Sequence, residues 1–196
     1  MVFSSHIKEL NKARVIEGMK GVFPLFEPYK KEVTYIIAIA PESDFPALPP
    51  SNIVPCGGIF LPSNPLSMVD PQLESWLYRG PTVLLSLGSS LPVDAAYARE
   101  LALGFRILLD QDPRMQVLWK LKLDMTKVGK SIVDIPLYSE VTEILGKEIS
   151  NGRVRIEQWL KPEPLSILQS GQITCFVHHG GANSYNEAVR YVFKRH

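Results

Sequence analysis

The chain has 196 residues, a net charge of +1, 45% hydrophobic and 21% charged residues, the balance of a soluble globular protein large enough to bury roughly 70% of its unfolded surface. So small a charge gives no electrostatic reason to expect nucleic acid or an anionic membrane as partner. No stretch reaches the ~20 consecutive apolar residues of a membrane span, and two widely separated cysteines, Cys56 and Cys175, suggest a reducing, cytoplasmic setting, with one disulfide between them left open.

At the N-terminus Ile7, Leu10 and Ala13 fall at helical spacing with charges between them, and no apolar run has the length of a signal peptide. YIIAIA at 35–40 has the length of a strand. Residues 41–71 are crowded with prolines. Proline fixes φ and removes a donor, so this stretch reads as extended connector and not as sheet interior.

Beyond it the pattern becomes regular. Strands are expected at 82–88, 116–122, 153–159 and 173–177, with helices near 93–110, 139–147, 164–169 and 182–193. Strands alternating with helices imply right-handed crossovers and a parallel sheet covered on both faces. The expected fold is α/β, a Rossmann-like doubly wound parallel sheet.

In such sheets ligands bind where the carboxyl ends of strands run into helix N-termini. Distinctive residues occupy three loops at that edge: LGSS (87–90), EQWLKPEP (157–164) and HHGGANS (178–184). In the last, Gly180 and Gly181 permit close backbone approach, Asn183 and Ser184 carry side-chain donors, and His178 or His179 offers another. A helix N-terminus there would favour an anion. The alternative is a glycine turn with Asn183 or Ser184 as helix cap.

A metal site fits less well. Adjacent histidines on an extended chain point apart, and His6 and His196 form no ligand spacing with the pair. LGSS lacks the further glycines of a dinucleotide fingerprint and the lysine of a P-loop, which argues against a dehydrogenase and against an ATPase or kinase. Trp159 at a strand's carboxyl edge either stacks on a planar base or, the commoner fate of such a residue, packs into the core. Glu187 is placed to accept from two neighbouring hydroxyls, as acidic residues do with a ribose, or to sit as a favourable charge near a helix N-terminus. A ring, a diol and a diphosphate together describe a nucleotide.

The pattern from Trp159 through Leu168, Phe176, His179, Gly181, Asn183 and Ser184 to Glu187 resembles the donor-binding signature of the UDP-dependent glycosyltransferases with the GT-B fold. The stretch 41–60 is similar to the end of that family's N-terminal domain, and 70–90 to the segment joining its two domains and the first strand of the second. The resemblance implies that Trp159 stacks on uracil and that Glu187 holds the ribose hydroxyls. It implies that His179, Gly181, Asn183 and Ser184, with Ser89 from the first loop, bind the diphosphate of a UDP-sugar without a metal. The reaction would be an inverting transfer to a small lipophilic acceptor.

The resemblance also implies two parts: 1–70 as the remnant of an acceptor domain with its linker, and 71–196 as a truncated donor domain. The family's W-x-P-Q arrangement is here WLKPEP, without the Gln that follows the Pro in that pattern. The Asp-Gln pair that would follow Glu187 is not found, and His6 precedes no strand that would make it the acceptor-activating histidine. No catalytic residue is assigned. Two alternatives remain: a donor-nucleotide-binding subunit completed by a companion chain, and a non-catalytic α/β module with a vestigial signature.

Overall fold

The computed structural model of the chain describes residues 3–21, 32–40, 48–88, 93–122 and 136–191. It divides into two compact units, Met1–Gly57 and Gly58–His196. In the first, helix α1 (Phe3–Ile16) precedes two short parallel strands, β1 (Tyr35–Ile37) and β2 (Ile53–Pro55), with Tyr35 opposite Ile53. Asn52 supports the pair by donating from Nδ2 to the Val33 carbonyl at 2.9 Å. Strand β2 lies inside the stretch expected to be connector alone. A two-stranded pair has only edge strands, the setting in which a proline such as Pro55 is tolerated.

The second unit is built from α2 (Leu66–Val69), α3 (Pro71–Leu77), β3 (Thr82–Ser86), α4 (Ala95–Gln111), β4 (Gln116–Lys120), α5 (Pro136–Ser150), β5 (Val154–Glu157), α6 (Pro164–Gln169), β6 (Ile173–His178) and α7 (Ala182–Tyr191). Its four strands are all parallel, in the order β5-β4-β3-β6. The chain steps outward from β3 through β4 to β5, then returns to the other side of β3. That reversal is a topological switch point, and it lies between the carboxyl ends of β3 and β6.

Strand β3 is buried along its whole length, so its alternate side chains feed two cores. Val83 and Leu85, with Val117 and Trp119 of β4, pack against Ala98, Ala102, Phe105 and Leu109 of α4 and Val141 and Leu145 of α5. Leu84 and Leu118 point the other way, to Leu73, Trp76 and Leu77 of α3, Ile167 and Leu168 of α6, and Ala188 of α7. Each such leucine or valine stabilises the fold by about 1.5–3 kcal/mol. Both faces of the sheet are therefore covered, as the expected doubly wound fold requires.

Helix starts follow their capping residues. Asp94 accepts from the Tyr97 amide at 2.8 Å to open α4, and the spacing of Ala98, Ala102, Phe105 and Leu109 makes one buried stripe. Asp70 accepts from the Leu73 amide at 2.8 Å to open α3, with Pro71 in the first turn.

The amino edge of the sheet is closed by internal hydrogen bonds. Trp76 donates from Nε1 to the Gly152 carbonyl at 2.6 Å. Arg153 donates to the carbonyls of Leu109 (2.9 Å), Asp112 (2.8 Å) and Met115 (3.1 Å), closing the turn from α4 into β4. The buried Gln116 amide donates to the Gly80 carbonyl and the Thr82 hydroxyl, both at 3.1 Å. No described helix is long and apolar enough to cross a membrane.

Candidate functional site

At the opposite, carboxyl edge the register aligns four strand-terminal residues in a row: Glu157, Lys120, Ser86 and His178. The residues singled out from the sequence lie just beyond that row. Ser89 falls outside the described residues, and its loop is described only as far as Gly88.

The tightest part of the site is at the switch point. Gly88 has φ +83°, and a Cβ built on it would lie 2.8 Å from Cε1 of His179. A Cβ on Gly181 would run into Nε2 of the same ring. The imidazole of His179 thus rests on the backbone of both glycines, and the loop after β3 and the loop after β6 meet through it. Only glycine combines that φ with so close an approach.

Gly180, at φ +78°, donates its amide to Nδ1 of His178 at 3.1 Å. Nδ1 therefore carries no proton and Nε2 carries it in the neutral ring. Burial, and secondarily the charge of His179, lower the pKa of His178, which favours this neutral form. His178 leans on Phe176, with ring centroids 5.1 Å apart.

Helix α7 begins immediately after. The Tyr185 amide donates to the Gly181 carbonyl at 2.9 Å, so Gly181 is the residue that opens the helix. Asn183 and Ser184 lie inside its first turn, and neither has a side-chain hydrogen bond among the described residues. Neither is the helix cap. Their side chains and the first amides of α7 are left as donors at a positive helix end.

Glu187 is half-buried one turn further on. Burial, and then the charge of Glu163 at the start of α6, raise its pKa above the usual carboxylate value. Glu163 is a member of the site that the sequence reading did not single out. It follows Pro162 at the place where the W-x-P-Q pattern has its Gln.

Trp159 is not core. It is 66% exposed while Leu160 is 6% exposed and buried beside it, so the loop after β5 is anchored by its apolar neighbour and turns the indole outward. The ammonium of Lys120, at the end of β4, lies 4.0 Å from the centre of that ring. Trp159 stands at the β5 end of the row and His179 at the β6 end. Three strand spacings of about 4.8 Å separate those strands, so the edge suits an extended ligand of roughly 14 Å. Among the described residues, no group of three or more His, Cys, Asp or Glu side chains gathers as a metal site. Cys56 and Cys175 are both free and exposed.

No family model matches the sequence. Over 188 residues, 93% of its length, the chain is 46% identical to a protein named glycosyltransferase sdnJ from Sordaria araneosa, of which it spans 35%. The structure is similar to a ugt transferase from Siraitia grosvenorii in complex with UDP, with a TM-score of 0.52, 22% identity, and coverage of 71% of this chain and 30% of that one. A weaker similarity, with a TM-score of 0.38 and 24% identity over 60% of this chain and 22% of the other, is to an Os79 variant from O. sativa in complex with UDP. The fold likeness rests on the first of these structures and the kinship on the sequence match. The chain thus spans about a third of the length of either protein, similar in sequence to a glycosyltransferase and in fold to a ugt transferase.

Proposed function

We propose that the chain is the nucleotide-holding part of a UDP-glycosyltransferase that passes a sugar from a UDP-sugar, with inversion, to a small lipophilic acceptor. The donor domain would be 71–196 and the acceptor-domain remnant with its linker 1–70, in a cytoplasmic enzyme that works without a metal. The observation that carries this reading is the junction at the switch point, where His179 rests on Gly88 and Gly181 beside the N-terminus of α7. A diphosphate seated there would meet the helix amides, Asn183, Ser184 and the His179 ring, and the family resemblance adds Ser89 to that set. Trp159 would stack on the uracil and Glu187 would accept from the ribose hydroxyls.

The chemistry follows from the same donors. As the sugar's anomeric carbon is displaced, negative charge grows on the departing diphosphate. Groups fixed at a helix N-terminus stabilise that charge without reorganising, so they contribute to rate as well as to binding. The similar fold of a transferase in complex with UDP supports the choice of nucleotide.

Calorimetric titration of the chain with UDP, with ADP as control, tests the reading. UDP is expected to bind in preference to ADP, and Trp159→Ala to weaken UDP by about 1–3 kcal/mol, the usual worth of one base–aromatic stack. A folded chain that binds neither nucleotide would end the proposal.

A further inference from the structure

The ammonium of Lys120 occupies one face of the exposed Trp159 indole at 4.0 Å from its centre. The ammonium makes no ion pair or hydrogen bond with another described residue. It is partly buried, and burial together with the nearby Lys122 lowers its pKa, so holding a charge here has a cost that the ring's negative face offsets. Lys120 and Trp159 come from neighbouring strands whose pairing sets Lys120 opposite Glu157, two residues before the indole. The contact is thus fixed by sheet register and does not depend on the loop alone.

We infer that Lys120 is a positioning residue for the nucleotide base: by covering one face of Trp159 it holds the ring upright and leaves a single face for a planar base. The inference rests on the assignment of Trp159 to base stacking. A cation on one side also draws ring electrons toward itself, which eases the approach of a second ring's negative face on the other side. Arginine would serve as well as lysine, since a guanidinium also stacks on indoles. A neutral side chain would not.

The test is UDP titration of the 196-residue chain as wild type, Lys120→Met, Lys120→Arg and Trp159→Ala, with urea unfolding as a check on each. Lys120→Met is expected to weaken UDP about twofold to fivefold, the fold-change matching one exposed cation–π contact, while Lys120→Arg binds as wild type. Lys120→Gln provides a second neutral variant should the methionine perturb folding. If Trp159→Ala weakens binding and the neutral variants do not, the positioning role is overturned while base stacking stands. If Met and Arg weaken binding equally, lysine acts through shape and the cation has no part. If Trp159→Ala binds as wild type, the assignment of Trp159 falls and this inference falls with it.

Discussion

The two edges of the four-stranded sheet use polar residues in opposite ways. At the amino edge Trp76, Gln116 and Arg153 spend their donors on backbone carbonyls and a buried hydroxyl within the fold. At the carboxyl edge Trp159 is exposed, Asn183 and Ser184 keep their side chains unengaged among the described residues, and the His179 ring rests on bare glycine backbone. A buried polar group that finds its partner inside the protein stabilises it. One left open at a helix N-terminus is available to a ligand. On the proposed function the same sheet carries a stabilising end and a binding end, and substitutions should separate them.

The largest expected effect is at the amino edge. Arg153→Ala removes a charged donor from the carbonyls of Leu109, Asp112 and Met115 and should cost about 2–4 kcal/mol in urea unfolding. The folded fraction should bind UDP with unchanged affinity. A loss of affinity in that fraction would break the division between the edges.

Gly88→Ala should do the reverse. Its Cβ would meet His179 at 2.8 Å in a backbone conformation of φ +83°, so strain of about 1–2 kcal/mol is added and the imidazole is displaced. UDP affinity should fall about tenfold, the loss of one hydrogen bond to a charged group, as read by calorimetry. Affinity unchanged would mean that His179 holds the loops together and touches no ligand.

The smallest effect sharpens the comparison inside the site. The folded state raises the Glu187 pKa through burial and Glu163, so it binds that proton more tightly than the unfolded chain does. Stability must then fall as pH rises from the ordinary carboxylate value through the raised one. Glu187→Gln should be more stable than wild type near pH 7, with the difference closing below about pH 4, and should bind UDP more weakly. Equal stability at both pH values would show that the carboxylate carries no such cost.

Much of this was legible in the chain. The alternation of apolar strands with helical segments announced β3 through α7 to within a few residues, because a strand buried on both faces is a continuous apolar run bounded by turn residues. Helix α3 was not anticipated, although Asp70–Pro71 followed by Glu74 is a helix-start signal. Strand β2 was hidden by the prolines around it, since composition registers the missing donors and not the partner strand that makes them harmless.

The candidate site divides in the same way. His179, Gly181, Asn183, Ser184 and Glu187 are one short stretch, and the sequence alone determined that glycines and donors would sit where a strand meets a helix. Only the tertiary structure decided that the His179 ring lies on Gly88, that the charge of Glu163 reaches Glu187 and that Lys120 caps Trp159. Each of those pairs joins elements far apart in the chain. Their meeting depends on strand order and register, which local residue preferences do not encode.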